Sequence, residues 1–322
     1  MTNQRLAVSL PGLELKNPIM PSSGAFYYGL DHLDDFDLNK LGALVLKTTT
    51  VQERLGNPQP WVIFNQAGIL NSVGLANPGL ENVKRDFIPK IEAALPELPV
   101  MISIAGETVA EYVLLATEFA RFDYIKALEV NLSCPNVDKG GMEFGVDPES
   151  AREVIAAIRQ VTDKPIYAKL SPNVTDIKPI AKAVEEAGAD GIVLINTVVG
   201  MSLNLASRSV KLFRGTGGMS GSAVHPIAVR LIWEAASVVK IPIIGVGGIN
   251  TVDDALELLL AGASAVQVGS ANGQDPLIMS KIIDELPDAL DRYGFANIQD
   301  VTNGLKPLPE DQASWEKEQN ND

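Results

Sequence analysis

Residues 243–270 read IIGVGGINTVDDALELLLAGASAVQVGS, and this stretch decides the fold. Two short apolar runs, near residues 243–246 and 265–269, flank a helical pattern at 252–261. Near-continuous hydrophobicity over so few residues is typical of parallel strands that are buried on both faces. Glycines follow both runs directly, so the chain can turn sharply where each strand ends. The stretch therefore predicts a strand–helix–strand unit of a parallel sheet.

The same alternation of strand and helix continues through the rest of the chain. The predicted strands lie near residues 19–20, 43–47, 100–104, 127–131, 166–170, 191–196, 243–246 and 265–269. The predicted helices cover residues 33–41, 83–95, 109–122, 148–161, 177–187, 226–239, 252–261 and 277–290. Eight strands, each followed by a helix, indicate an α/β protein with a closed (β/α)8 TIM barrel rather than an open doubly wound sheet.

The two ends of the chain carry different signals. Pro11 and Gly12 form a turn pair between two short apolar runs, which predicts an N-terminal β-hairpin over the bottom of the barrel. No linker rich in Pro, Gly or Ser divides the chain, so we expect one domain over residues 1–322. The polar tail from Asp311 to Asp322 is expected to fray.

Composition narrows the class of protein. The net charge is −14, so binding to nucleic acid or to an anionic membrane surface is not expected. No secretory signal is visible, and no apolar stretch reaches the roughly 20 residues of a membrane helix. We therefore expect a cytoplasmic protein. One cysteine and two histidines allow no disulfide within the chain, and we expect no metal site.

Polar residues and glycines follow nearly every predicted strand. In a barrel the carboxyl ends of the strands meet at one mouth, where active sites form. Lys47 and Lys169 stand at two of these ends. Because lysine is rarely buried without a charged partner, we expect an anionic ligand to supply that partner.

The glycine turns after the last strands predict a phosphate site. Gly247 and Gly248 follow the seventh strand, and Gly269 and Ser270 follow the eighth. Small residues let backbone N–H groups approach a phosphate, and barrel enzymes often bind phosphate between these two loops. Residues 215–222, after the sixth strand, are expected to add backbone donors. Their glycine pattern does not follow a first strand, which argues against a Rossmann site.

The lysine at the end of the fifth strand suits a flavin. Lys169 can place positive charge beside the N1/C2=O edge of an isoalloxazine ring and so stabilise the anionic reduced flavin. A Schiff-base or phosphate-pairing lysine, as in aldolase barrels, is the alternative. A cluster of amides favours the flavin, because a planar ligand with donors and acceptors needs such groups. Its members are Asn71, Asn131, Asn136 and Asn196.

The single cysteine follows the fourth strand, in the string NLSCPN at residues 131–136. A free thiol has a pKa of about 8.5, so a modest shift makes it a usable base. A buried and inert cysteine is the alternative, but the surrounding turn is polar and unsuited to a core. A loop at 137–145 follows, with Gly140 and Gly141 as a hinge that would let it close over a ligand. The sequence therefore predicts Cys134 as a catalytic base.

Five motifs together resemble the class 1 dihydroorotate dehydrogenases of pyrimidine synthesis. The resemblance runs from about Leu6 to Arg292. It is carried by KTT at 47–49, NSVGLANPG at 71–79, NLSCPN at 131–136, AKLSPN at 168–173 and GVGGI at 245–249. Class 2 relatives are membrane-associated and have serine at the base position, so Cys134 favours class 1.

This resemblance implies FMN-dependent oxidation of (S)-dihydroorotate to orotate, with one FMN per chain. Cys134 would take the C5 proton while the C6 hydride passes to the flavin. The residues implied to bind substrate are Lys47, Asn71, Ser72, Val73, Gly74, Leu75, Asn131, Asn196 and Thr197. Those implied to bind FMN are Ser22, Lys47, Thr48, Ser103, Asn131, Lys169, Ile195, Gly221, Gly247, Gly248, Gly269 and Ser270.

Two further stretches are similar to subclass 1B, namely RLGNP at 54–58 and GGMEFGVDPE at 140–149. That subclass implies a homodimer within a heterotetramer, whose second subunit carries FAD and a [2Fe–2S] cluster and passes electrons to NAD+. Ser103 stands where the family often has asparagine, and Trp61 stands where this subclass often has arginine. The alternatives are a subclass 1A enzyme that uses fumarate, another FMN barrel acting on a dihydropyrimidine, a flavin-free barrel isomerase or aldolase, and a non-enzymatic scaffold.

Overall fold

The computed structural model describes residues 4–66, 68–133, 135–136 and 142–310. In chain order its strands are β1 (Val8–Leu10), β2 (Leu13–Leu15), β3 (Ile19–Pro21), β4 (Leu44–Thr49), β5 (Val62–Asn65), β6 (Gly68–Asn71), β7 (Val100–Ile104), β8 (Ile125–Asn131), β9 (Pro135–Asn136), β10 (Met142–Glu143), β11 (Ile166–Lys169), β12 (Gly191–Leu194), β13 (Val198–Met201), β14 (Leu203–Asn204), β15 (Ser209–Val210), β16 (Thr216–Ser220), β17 (Ile243–Val246) and β18 (Ala265–Val268). The α-helices are α1 (Leu80–Asn82), α2 (Ile88–Ala94), α3 (Val109–Ala120), α4 (Pro148–Arg159), α5 (Lys178–Glu186), α6 (His225–Ala236), α7 (Val252–Leu260), α8 (Ile278–Tyr293) and α9 (Ile298–Thr302).

Eight parallel strands form the central sheet, in the order β3-β18-β17-β12-β11-β8-β7-β4. These are the eight strands that the sequence predicts, each within about three residues of its expected position. The end strands β3 and β4 adjoin, because Gly42 N just before β4 donates to Ile19 O of β3 at 2.8 Å. The sheet is therefore nearly closed, and the predicted (β/α)8 barrel is confirmed.

The interior of the barrel begins with an apolar layer. Successive strand residues point to opposite faces, so one residue of each pair faces inward and the other faces the helices. The inward residues form one buried cluster with Leu13 and Leu15 of the N-terminal segment. Those from the barrel strands, or from the residue just before one, are Met20, Ala43, Val45, Met101, Ala127, Tyr167, Val193, Ile244, Val246 and Ala265. The outward residues pack against the helices in a second, larger core.

The predicted N-terminal hairpin is confirmed and fills the amino-terminal end of the barrel. Strands β1 and β2 pair antiparallel with Leu10 opposite Leu13. The hydroxyl of Tyr167, inside the barrel, donates to Pro11 O in the hairpin turn at 2.8 Å. The hairpin is thus tied to the barrel by both apolar burial and a hydrogen bond.

Seven of the eight predicted helices are confirmed, with ends shifted by a few residues. The second of the eight starts three residues early, at Leu80, and includes a π-helical turn (Val83–Phe87) between α1 and α2. The helix expected at 33–41 is wrong, since this segment forms only two short 3-10 turns (Leu30–His32 and Leu38–Lys40). Asp37 accepts from the backbone N–H of Asn39, and His32 pairs with Asp35, so side chains compete with helical hydrogen bonds there.

The sequence analysis missed a second sheet, which is antiparallel and has the order β13-β16-β6-β5. Its central strand β16 occupies most of the segment predicted to donate backbone N–H groups to phosphate. Gly218 and Met219 pair with β13 on one side and with β6 on the other, so their backbone groups are engaged within the sheet, while the phosphate expectation for the rest of the segment stays a prediction. The glycines of β16 have low strand propensity and concealed the strand.

Two expectations about the whole chain stay open. Residues 311–322 lie outside the described ranges, and the single domain over 1–322 stays a prediction. Among the helices that the structure describes, none has the length and apolar character needed to cross a membrane.

We expect Leu13→Ala to lower the free energy of unfolding by about 2–5 kcal/mol, because the side chain is fully buried in the apolar layer and would leave a cavity. Urea unfolding measures this. Glu14→Ala is the matched control, since Glu14 lies on the exposed face of the same strand, and its cost should stay below about 1 kcal/mol. Equal costs for the two variants would contradict a hairpin that closes the barrel floor.

Candidate active site

A polar layer lies directly above the apolar layer, toward the carboxyl ends of the strands. It consists of Ser103, Glu129, Lys169 and Gln267, each two residues after an inward-facing apolar residue of the same strand. All four side chains are buried. The period of two along each strand thus points all four polar side chains into the barrel.

Lys169 forms an ion pair within this layer. Its Nζ donates to Glu129 Oε1 at 3.2 Å and to Ser23 Oγ at 3.0 Å. The lysine side chain is 7% exposed and Glu129 has no exposed surface. The sequence analysis expected an anionic ligand as the partner of the buried lysine, and in this respect it was wrong, since Glu129 of the chain itself supplies the charge.

Hydrogen bonds keep Glu129 ionised despite its burial. Burial alone would raise the pKa of this carboxyl group, but the Lys169 charge and hydrogen bonds from Ser23, Gln267 and Ser103 together hold it below its ordinary value. Ser23 donates to Oε1 at 2.6 Å, and Gln267 Nε2 donates to Oε2 at 2.9 Å. The site therefore contains a fixed and nearly fully bonded pair of opposite charges.

Three amide and hydroxyl side chains meet at the mouth, one level above the polar layer. Asn196 Nδ2 donates to Asn131 Oδ1 at 3.0 Å and to Ser133 Oγ at 2.9 Å. Asn196 Oδ1 accepts from the backbone N–H of Thr197 at 2.8 Å. The predicted substrate residues Asn131, Asn196 and Thr197 are thus brought together.

Asn71 reaches the same mouth through the antiparallel sheet. It lies opposite Gly218 of β16, and its Nδ2 donates to Gly218 O at 3.0 Å. A Cβ on Gly218 would lie 2.1 Å from Thr197 Oγ1, so only glycine allows this approach. The sheet therefore holds Asn71 and Thr197 on either side of one glycine.

The predicted substrate segment 72–75 follows Asn71 as a tight turn against residues 57–61. Asn57 N donates to Val73 O at 2.9 Å, and Asn57 Nδ2 donates to Ser72 O at 3.0 Å. Trp61, which departs from the family pattern, donates through Nε1 to Asn57 O, and its own carbonyl accepts from Ser72 N. Trp61 thus braces the turn that carries Ser72.

Hydroxyl groups line the side of the mouth next to β4. The hydroxyl groups of Thr48 and Ser103 form a hydrogen bond at 2.9 Å, and both side chains are buried. Ser103 also helps to lower the pKa of the Glu129 carboxyl group, so this serine links the mouth to the polar layer. Lys47 lies at an irregularity in the pairing of β4 with β7 and is half-buried.

The glycine turns after β17 and β18 lie near each other and near the end of β3. Gly247 and Gly248 both have positive φ, at 142° and 70°. Their turn rests on His225, whose Nδ1 lies 2.9 Å from Gly247 O and whose Nε2 lies 3.0 Å from Glu257 Oε2. A Cβ on Gly269 would lie 3.3 Å from Ser22 Oγ, so the β18 turn adjoins the residue after β3. Such a crowded turn suits close approach of an anion to backbone N–H groups.

Some predicted residues cannot be placed with the others. Cys134, the predicted base, lies outside the described residues, as does the hinge at 140–141. For Asn136 the structure describes the backbone alone, in β9. Ile195 is buried next to Leu194, and the peptide bond between them is cis. Gly221 is buried at φ 109°, just after β16.

Comparison with known proteins is decisive for the family. The profile described as "Dihydroorotate dehydrogenase" matches residues 5–290. The chain belongs to the dihydroorotate dehydrogenase family. Three relatives named "Dihydroorotate dehydrogenase B (NAD(+)), catalytic subunit" illustrate the match. The Halalkalibacterium halodurans protein is 49% identical over 300 residues, covering 93% of this chain and 98% of the relative. The Enterococcus faecalis protein is 48% identical over 306 residues (95% and 98%), and the Anoxybacillus flavithermus protein 49% over 298 residues (92% and 95%).

Three polar residues of this family member escaped the sequence analysis. Glu129 and Gln267 stand inside apolar runs, and a strict count of every second residue back from Asn131 and Gly269 would have found both. His225 opens α6, and nothing in the local sequence signals that it supports the turn after β17.

We expect Gly248→Ala to cost at least about 1–3 kcal/mol of unfolding free energy, because alanine is strained at this positive φ. Its Cβ would also lie 2.6 Å from His225 Cβ. Gly273→Ala is the control in the same region, since its Cβ would meet nothing within 4 Å, and we expect a change within about 0.5 kcal/mol. Urea unfolding compares the two, and a neutral Gly248→Ala would contradict the described turn.

Proposed function

We propose that this chain oxidises (S)-dihydroorotate to orotate with FMN, as the catalytic subunit of a subclass 1B dihydroorotate dehydrogenase. The proposal rests first on the name of relatives that match nearly the full length of this chain. The observation that carries it in the structure is the joining of Asn131, Asn196 and Thr197 above the buried Lys169. Polar groups converging over a buried cation suit an anionic, planar substrate and cofactor.

The described residues fit FMN. The positive-φ glycines after β17, beside Ser22 and the turn after β18, form a place where a phosphate can approach the backbone. Lys169 and Thr48 supply a cation and a hydroxyl group for the ring. When bound, FMN would supply the hydride acceptor. The residues proposed to hold it are Ser22, Lys47, Thr48, Ser103, Asn131, Lys169, Ile195, Gly221, Gly247, Gly248, Gly269 and Ser270.

The substrate would lie against the amide groups at the mouth. Asn131 and Asn196 are oriented by their mutual hydrogen bond, so their remaining donors and acceptors can address the edges of a pyrimidine. Asn71 and Thr197 approach across Gly218, and Lys47 would complement the substrate carboxylate. The turn at 72–75 would contribute Ser72, Val73, Gly74 and Leu75.

Cys134 is the proposed base. It directly follows Ser133, whose hydroxyl accepts from Asn196 in the amide cluster at the mouth. The thiolate would take the proton from C5 of dihydroorotate as the hydride departs from C6. The product is then orotate, with one new C5=C6 double bond.

For Cys134→Ser we expect the rate of dihydroorotate oxidation at neutral pH to fall by about 100-fold or more, because a serine hydroxyl is a far poorer base than a thiol. Stopped-flow measurement of flavin reduction should show partial recovery as the pH rises. The control is the flavin absorbance of the variant, which should match wild type. A pH–rate profile identical to that of wild type would remove Cys134 from this role.

A partner subunit with FAD and a [2Fe–2S] cluster completes the proposal, since this chain has one cysteine and cannot hold a four-cysteine cluster alone. The phrase "catalytic subunit" in the relatives' name supports a separate partner. A homodimer is also proposed. Exposed apolar side chains support burial against a second copy, among them Phe64 (70%) on the antiparallel sheet, Leu205 (88%) in the β14–β15 hairpin and Phe213 (60%) between β15 and β16.

Purification from the native source tests the electron acceptor. We expect a second polypeptide to copurify, to bring iron–sulfur absorbance, and to give NAD+-dependent oxidation of dihydroorotate. The recombinant chain alone is the control and should show flavin absorbance without NAD+ turnover. Full turnover of the lone chain with fumarate would assign it to subclass 1A, and a colourless chain would contradict an FMN enzyme.

A further inference from the structure

Glu129 carries a charge inside the barrel that the proposed reaction does not use. It lies on β8 two residues before Asn131, so both side chains point into the barrel, with Glu129 one level deeper. The deeper level is fully enclosed, and Glu129 has no exposed surface. It therefore cannot contact substrate directly in the described arrangement.

Stability alone gives a poor reason for a charge at this position. Removing two charges from water costs several kcal/mol per ion, and well-packed apolar residues of similar volume often stabilise a core as much or more. The barrel nevertheless surrounds Glu129 with Ser23, Ser103, Lys169 and Gln267, drawn from three strands and one turn. Such an arrangement fixes the position of a charge.

Through their ion pair, Glu129 fixes the position of the positive charge on Lys169. This lysine ends β11 in register with Asn131, at the boundary between the polar layer and the mouth. Ser23 accepts from Lys169 Nζ and donates to Glu129 Oε1, so it braces the pair from the side. Within the described part of the chain, these two bonds use two of the three N–H groups of Nζ. The third can be given to a group at the mouth.

We propose that Glu129 is a positioning residue that holds Lys169 beneath the flavin and offsets its positive charge. The inference rests on the proposed function, because it assigns Lys169 to the flavin. Glu129 then sets how strongly the lysine attracts negative charge at the N1/C2=O edge. An unbalanced lysine would favour the anionic reduced flavin too strongly, and reduced flavin that is too stable gives up its electrons slowly.

The charge balance predicts the direction of change in Glu129→Gln. The variant keeps the shape of the side chain and loses the negative charge. Its amide N–H can donate to Gln267 Oε1, which is buried and accepts no hydrogen bond from the described residues. Lys169 is then uncompensated, so negative charge on the flavin becomes more favourable.

Sulfite is the probe, because it adds to oxidised flavin and leaves negative charge on the N1/C2=O edge. With the FMN-loaded chain we expect Glu129→Gln to bind sulfite about tenfold more tightly than wild type, which is about 1.4 kcal/mol. The flavin midpoint potential should rise in parallel. Glu285→Gln is the matched control, since it makes the same charge change at an exposed position on α8 and should leave both values unchanged.

A double-mutant cycle tests whether Glu129 acts through Lys169. Lys169→Met should weaken sulfite binding, and adding Glu129→Gln to it should cause no further change. The double variant also leaves no unpaired buried ion, so it keeps the test open if the single Glu129→Gln variant does not fold. Glu129→Asp retains the charge and should stay within about threefold of wild type.

Three results would overturn the inference. One is an unchanged sulfite dissociation constant in a folded Glu129→Gln holoprotein. Another is an equal effect of Glu129→Gln with and without Lys169, and the third is a Glu129→Asp variant that matches Glu129→Gln. In these cases the wild-type chain still binds FMN and oxidises dihydroorotate, so the proposed function survives. A wild-type chain that binds no FMN would overturn both.

Discussion

The ion pair between Glu129 and Lys169 is the constraint on which the interior of this barrel depends. A carboxylate without solvent contact persists only if nearly all of its acceptor positions are used. Here the donors come from β7, β11, β18 and the turn after β3. These strands lie on different sides of the barrel, so the pair is satisfied only when the sheet has curved round to bring them together. The closed barrel is thus what brings these donors around Glu129 and fixes the position of Lys169.

The regular rise of the strands separates structural from chemical levels. Two residues of strand advance about 6.5 Å, so each step along the inward face moves from one level to the next. Leu13 and Leu15 form the floor, Ala127 and Tyr167 belong to the apolar layer, and Glu129 and Asn131 follow above. The apolar lower half of the barrel can therefore support the polar upper half without sharing residues with it.

The sequence predicted the structure best for the strands that are buried on both faces of the sheet. The eight barrel strands are mostly apolar on both faces, which distinguishes them from the helices around them, so their number and order were predictable. Because the carboxyl ends of barrel strands meet at one mouth, Asn131, Asn196 and Thr197 were also expected to lie together, and they do. What failed depended on contacts between segments distant in the chain. The strand β16 has two glycines in five residues, and its pairing with β13 and with β6, the latter some 150 residues away, makes it a strand.

The partner of Lys169 was missed for a related reason. Glu129 precedes it by 40 residues, and no local pattern pairs a carboxylate in one strand with a lysine in the next. The helix predicted at 33–41 was wrong because of local contacts rather than distant ones. Asp37 and Asn39 form local side-chain hydrogen bonds that a count of apolar spacing overlooks.

The approach of β16 to the mouth has a consequence for how ligand choice could change. Asn71 bonds the carbonyl of Gly218, while Thr197 occupies the space where a Gly218 side chain would stand. Asn71 and Thr197 come from separate parts of the chain, and the backbone of Gly218 thus sets the position of both. A substitution of Asn71 or Thr197 alone cannot reshape the pocket, since each side chain is packed against the same backbone. Directed evolution toward a different ring would need coordinated changes in β6, β16 and the turn after β12.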